Sequence, residues 1–230
     1  MRYRWKTGTR LGAGAWAFGL LLVLVAPPSG AASFYLGASA GQAITSVSDA
    51  QLTQRLADTG LSGTGRATDT ERTGWKVYGG YHFTQSLSFL AVEGGYTRLG
   101  EITLAFDGFS PTSARQLAEI APITGDLWEL SLVARYPISE TWHLLTRLGA
   151  ARWEMDYALG NDKGSLSGTD PVLGLAVERQ LAGHWFMRLG WDHYAVPRED
   201  TDLFTFGLLY RFGEPAQRPA SLPAARTTAR

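Results

Sequence analysis

An all-β fold, an eight-stranded antiparallel transmembrane up-and-down β-barrel, is predicted for this 230-residue chain from three observations. Eight runs of about ten residues alternate in period two between an apolar and a polar face. The links between runs alternate short and long, and the apolar face is aromatic at both ends and aliphatic between them.

The first 32 residues have a plan of their own. Arg2, Arg4, Lys6 and Arg10 precede the apolar stretch Ala15 to Ala26, and Pro27, Pro28 and small residues through Ala32 follow. This reads as a secretory signal peptide over 1–32, cleaved before Ser33, because the apolar core is short for a spanning helix and Gly30 and Ala32 suit a signal peptidase. The alternative is an uncleaved membrane anchor. Cleavage removes four of the 21 basic residues and none of the 21 acidic ones, leaving a mildly acidic chain that is a poor nucleic-acid ligand. With no cysteine, disulfide frameworks, thiolate metal sites and an acylated N-terminal cysteine are excluded.

Beyond residue 32 no segment approaches the apolar length of a membrane helix, so a chain that spans a bilayer must do so with strands. The runs lie at about 34–42, 74–83, 87–99, 126–137, 141–155, 170–181, 184–195 and 203–212, and together define a barrel domain over 33–213. An even number is what a closed antiparallel barrel with both ends on one side requires. Short links fall near Gln85, Glu140 and Gly183; long ones are expected at 43–73, 100–125 and 156–169, with a shorter one at 196–202. Residues 214–230 are rich in Pro, Ala and Arg, have too few large apolar side chains for a core, and read as a disordered tail.

One face of the runs carries Phe34 and Leu36; Trp75, Val77 and Phe83; Val92 and Tyr96; Trp128, Leu130, Leu132 and Tyr136; Trp142, Leu144 and Leu148; Leu173 and Leu175; Trp185, Leu189 and Trp191; and Phe204 to Phe212 in alternation. The other carries Lys76, Glu93, Glu129, Arg135, Arg147, Glu178, Arg188, Asp192 and Arg211. A soluble barrel also alternates, so the aromatics decide. With strands running alternately up and down, Phe83, Tyr136, Trp142, Trp185 and Phe212 fall at one end of the apolar face and Trp75, Tyr96, Trp128, Trp191 and Phe204 at the other. Two such girdles match the headgroup depths of a bilayer, whereas a soluble core has no reason to keep aromatics from its middle.

Two long links hold helix-like stretches. Ser48 and Gln51 form a capping box before Leu52 and Leu56, with Gly60 as a stop. The second begins at Pro111, places Leu117 and Ile120 on one face and ends at Pro122. A surface loop is the alternative for each, since short helices are marginal in water.

Several segments resemble the outer membrane protein A transmembrane domain family. They are Phe34 to Gly41 (FYLGASAG), Gly79 to Phe83 (GGYHF), Val92 to Glu101 (VEGGYTRLGE), Tyr136 to Ser139 (YPIS), Thr146 to Ala150 (TRLGA), Pro171 to Glu178 (PVLGLAVE) and Phe206 to Gly213 (FGLLYRFG), in order along the chain. The resemblance implies a small barrel in the outer membrane of a Gram-negative bacterium, with both barrel ends periplasmic and inward charges at Glu93, Arg147, Glu178 and Arg188. It also implies that the last strand, ending at Phe212, is read by the outer-membrane assembly machinery. There are departures: Val133 stands where the family's inward lysine is expected, and the 214–230 tail is too short for a peptidoglycan-binding domain.

The inward charges are the one constellation with a physical mechanism. About the turn near Gly183, Glu178 and Arg188 are equidistant and share a face, so they should pair; Lys76 and Glu93 are expected to pair likewise about Gln85. Together Lys76, Glu93, Arg147, Glu178 and Arg188 would fill an interior barely wide enough for side chains, either as a static polar core or as the gate of a narrow pore. Enzymatic signals are weak. Asp192 and His193 are strand neighbours on opposite faces, and His82, His143 and His184 lack ligand spacing, so no catalytic, cofactor or metal residue is assigned. The expected role is structural or surface-interactive, with a low-conductance pore and a loop-mediated adhesin or receptor for host or phage factors as alternatives. The expected partners are outer-membrane lipid, lipopolysaccharide and the assembly machinery, without nucleic acid.

Overall fold

The computed structural model describes residues 2–4, 33–46, 48–58, 60, 63–67, 71–83, 85–100, 103–107, 126–159, 162–195 and 200–212. Eight strands form one closed barrel: β1 (Ser33–Thr45), β2 (Glu71–His82), β3 (Leu90–Arg98), β4 (Asp126–Pro137), β5 (Trp142–Leu159), β6 (Asp162–Ala182), β7 (Trp185–Tyr194) and β8 (Thr201–Phe212). Each strand pairs antiparallel with the next, and β8 closes on β1 from Thr201↔Thr45 to Phe212↔Phe34. Closure leaves no sheet edge, which is what a hydrocarbon surround demands of a backbone that must satisfy its own hydrogen bonds. No helix among the described residues is long and apolar enough to cross a membrane.

Period-two alternation becomes an inside and an outside. Along β2, residues 72, 74, 76, 78, 80 and 82 are buried and their neighbours face outward. Leu36, Leu132, Leu148, Leu173, Leu189 and Phe206 lie on the outer surface, far more apolar area than a soluble monomer presents. Aromatic rings form contacting rows at both ends of this surface. At the end holding the barrel's two chain ends and the short turns, Phe34 meets Tyr81 at 5.1 Å, Tyr81 meets Phe83 at 5.6 Å, and Tyr210 meets Trp185 at 5.2 Å and Phe212 at 4.9 Å. At the loop end Tyr96 meets Trp75 at 5.5 Å and Trp128 at 5.0 Å, and Trp191 stands opposite Phe204 in register. Trp142 belongs to the turn end, where the Arg179 guanidinium lies 5.2 Å from its ring.

Two expectations about the links need correction. Residues 156–169 are not a long loop: β5 and β6 stay paired from Trp142↔Arg179 to Leu159↔Asp162, leaving a two-residue link in a ladder that extends well past the ends of the other strands. The polar, Gly-rich stretch hides this, because above the apolar band alternation no longer marks a strand. The link near Gln85 is longer than a tight turn; it contains the 3-10 turn Gln85–Leu87, and β3 starts at Leu90 rather than 87. That offset moves the register of the hairpin, so Lys76 faces Thr97 and Glu93 faces Gly80.

In the first long link, α1 (Asp49–Asp58) forms where the capping box places it. The Ser48 hydroxyl accepts from the Gln51 amide at 3.2 Å, and the Gln51 side chain accepts from the Ser48 amide at 3.1 Å, so each satisfies an orphan donor of the other. Gly60 takes φ 75° and its amide donates to the Ala57 carbonyl, ending the helix. Leu52 and Leu56 are fully buried. A small antiparallel sheet, not read from the sequence, joins Thr64–Ala67 and Arg2–Arg4 to the two sides of Thr103–Asp107. Its Arg2–Arg4 strand belongs to the segment read as a leader, so a chain processed before Ser33 retains only the other two strands. Apart from these three residues, the leader, the stretch from Pro111 to Pro122 and the 214–230 tail lie outside the described residues.

Candidate functional site: an ion-paired network inside the barrel

Alternation alone places the charges inside: a strand whose odd or even positions face lipid must turn the others into the lumen. Two apolar layers bound the interior. Towards the loop end, Ala43, Leu99, Leu127, Trp153, Tyr194 and Leu203 pack together; towards the turn end, Tyr35, Tyr78, Val133, Leu145, Phe186 and Leu209 do so. Trp153 closes the upper layer with its indole N–H donating to Asp170 at 2.5 Å.

Between these layers Lys76, Glu93, Arg147, Glu178 and Arg188 come together in one network with Glu129 and Asp192, and Glu178 extends it to Arg135 and Arg211 at the turn end. Lys76 Nζ stands 3.2 Å from Glu129 Oε2 and 3.0 Å from Asp192 Oδ2. Arg147 reaches Glu129 at 2.9 Å, Glu93 at 3.4 Å and also Asp192. Arg188 bridges Glu93 at 2.6 Å and Glu178 at 3.1 Å. Glu178 is completely buried and further contacts Arg135 at 3.5 Å and Arg211. Hydroxyls complete the carboxylate shells: Tyr35 donates to Glu93 at 2.8 Å, Tyr194 donates to Glu129 at 2.5 Å, and Thr97 also donates to Glu129. The Arg188 guanidinium lies 4.7 Å from the Tyr78 ring and 5.5 Å from the Tyr35 ring, so apolar faces flank its charge.

Glu178 and Arg188 are register partners across the last short turn and do pair. Lys76 and Glu93 do not: the hairpin offset separates them, and Lys76 is held by carboxylates from β4 and β7 instead. Sequence reasoning left Glu129, Arg135, Asp192 and Arg211 out of the network, although each sits at an inward position; the missing signal is which charges meet across the lumen, which no hairpin arithmetic supplies. The fit is tight enough to need a glycine. A Cβ on Gly174 would stand 3.2 Å from Arg147 Nε and closer still to the Asp192 carboxylate, so this residue makes room for that ion pair. A cavity of about 30 Å³ remains among Ser39, Lys76, Tyr78, Glu93, Arg147 and Asp192, space for a water or two and nothing larger.

Chemically, the arrangement neutralises its carboxylates and locks them in place. Every carboxylate touches two or more cations, and desolvated charges of this kind are tolerated only with such pairing. No group of three metal-ligating side chains exists among the described residues.

A closed eight-stranded barrel with a hydrocarbon-like exterior and a charged, filled interior is the architecture of a bacterial outer-membrane barrel. The OmpA-like transmembrane domain family model matches residues 29–216, and the chain belongs to that family. It is a protein of the cell outer membrane, with the barrel's two ends periplasmic. Outer membrane protein A of Shigella dysenteriae is 26% identical over 180 residues, covering 72% of this chain and 48% of that protein. Outer membrane protein A of Klebsiella pneumoniae is 27% identical over 186 residues, covering 73% and 50%. The chain thus spans about half the length of the curated relatives it matches. Among solved structures, the N-terminal β-barrel domain of Pseudomonas aeruginosa OprF is 12% identical, with 78% of this chain and 97% of that one covered and a TM-score of 0.46. Neisserial surface protein A is 15% identical, with 80% and 100% covered and a TM-score of 0.46.

Proposed function

We propose that this protein is a structural and surface-interacting component of the outer membrane whose polar interior is a plug, and that it is not an enzyme. The observation that carries this reading is the continuity of side chains along the lumen: an apolar layer through Trp153, the ion-paired belt, then a second apolar layer through Phe186, with a cavity of about 30 Å³ among the described residues of the belt. The aromatic rows, with Trp75, Trp128 and Trp191 at one end and Trp142, Trp185 and Phe212 at the other, sit at headgroup depth against lipid and lipopolysaccharide. The alternating outward row of β8 ending at Phe212 is the element the assembly machinery reads. Surface interaction, with host or phage factors as the candidate class, falls to the loop end, where α1 and the extended β5–β6 ladder lie.

The test is solute uptake by liposomes holding the folded protein. Sugars as small as pentoses should be excluded, and swelling in pentose above that of protein-free liposomes would contradict the plug. A gated low-conductance pore is the second reading, and one observation favours it: Glu93 is shared between Arg147 and Arg188, so its carboxylate has two alternative partners at hand.

A further inference from the structure

The turn end of the lumen carries more positive charge than its carboxylates neutralise. Arg135 at the end of β4 and Arg211 at the end of β8 converge on the same Glu178 oxygen, which is the one carboxylate either touches among the described residues. Glu178 also serves Arg188. Three guanidinium groups therefore meet one carboxylate, and only Arg188 has a second, in Glu93.

The surroundings deepen the imbalance. The Arg211 guanidinium lies 4.1 Å and that of Arg135 6.0 Å from the Phe186 ring, which offers a polarisable face but no neutralising charge. The Nε groups of Arg135 and Arg211 and Nδ1 of His143 are all buried without a hydrogen-bond partner among the described residues. His82, on β2, is buried as well. Two Arg side chains are 17% and 12% exposed, enough to be reached from the periplasmic mouth and too little for water to screen them well.

We propose that this mouth is a binding site for a small oxyanion such as inorganic phosphate, held between Arg135 and Arg211 with His143 at its side. Planar guanidinium forks match the paired oxygens of an oxyanion, and a desolvated surplus of them is satisfied best by one. The site lies at the opposite end of the barrel from the loops and does not depend on whether the barrel conducts. One carboxylate of the chain itself stands near in sequence, Glu214, two residues beyond Phe212, so a free oxyanion and this residue offer the same chemistry.

Calorimetric titration of the folded protein with phosphate, in an uncharged phosphate-free detergent and a chloride background, tests the proposal. Saturable one-to-one binding is expected for the wild-type chain, weakened at least tenfold in Arg135→Gln and in Arg211→Gln, and retained in Arg179→Gln on the lipid face. Arg211→Lys, which keeps the charge and removes the fork, guards against a variant that fails to fold and should also bind less tightly; folding of each is checked by gel mobility before boiling. No saturable binding to the folded wild type, or binding unchanged in both Gln variants, would overturn the proposal. So would binding that appears only in Glu214→Gln, which would assign the site to the chain's own carboxylate.

Discussion

Lys76 and Asp192 are 116 residues apart in sequence, and their charged atoms stand 3.0 Å apart inside the barrel. That contact ties β2 to β7 across the lumen, where neither strand is hydrogen-bonded to the other, and makes the interior a second framework beside the sheet itself.

Removing Lys76 should therefore be costly. Lys76→Met leaves Asp192 and Glu129 with Arg147 as their shared cation, and the expected loss of stability is about 3–5 kcal/mol. Adding Asp192→Asn should recover part of that loss, because the uncompensated carboxylate is gone. A double-mutant cycle by urea unfolding in detergent micelles reads the coupling; additive losses would remove the pair from the account.

Glu178 is the most heavily shared acid in the network, and Glu140 lies exposed in a short turn. Glu178→Ala should lower the unfolding midpoint strongly, whereas Glu140→Ala should stay within about 0.5 kcal/mol of wild type. Equal midpoints for the two variants would count against the importance of the interior pairing.

Gly174 makes a narrower case. Its replacement by alanine adds one methyl group against the Arg147–Asp192 pair, and the expected cost of such overpacking is about 1–3 kcal/mol. Gly190→Ala is the control, because a Cβ there meets Thr205 Oγ1 at 3.2 Å and no charged group. The Gly174 variant should be the less stable of the two on refolding into lipid vesicles.

The lipid-facing band has a depth dependence of its own. Leu132, midway along the outward face of β4, should lose about 2–4 kcal/mol on replacement by Arg, while Gln42, in register with Phe204 at the loop-end girdle, should lose about 0–1 kcal/mol. Comparable losses at both positions would displace the bilayer slab from the aromatic rows.

The barrel was legible in the sequence because lipid and lumen impose opposite chemistry on successive residues, so Leu130 and Leu132 alternate with Glu129 and Ser131 without ambiguity. The cap of α1 was legible for a similar reason, since Ser48 and Gln51 exchange hydrogen bonds within one turn. The β5–β6 ladder was not: from Asp156 to Thr169 the sequence no longer alternates apolar with polar residues, although the pairing continues. Glu178 and Arg188 could be matched because one tight turn fixes their register. Lys76 could not be matched, first because the turn before β3 is longer than it looks, and then because its true partners come from strands that sequence order does not place beside it.

Planar-bilayer conductance of the purified protein, shown to be folded by its gel mobility before boiling, tests the plug most directly. The account predicts a silent bilayer, with conductance steps appearing only when the packing through Trp153 or the network through Glu178 and Arg188 is broken by substitution. Regular conductance steps from the unaltered protein, changed in size or frequency when Glu178 or Arg188 is neutralised, would contradict it and make the same network a gate.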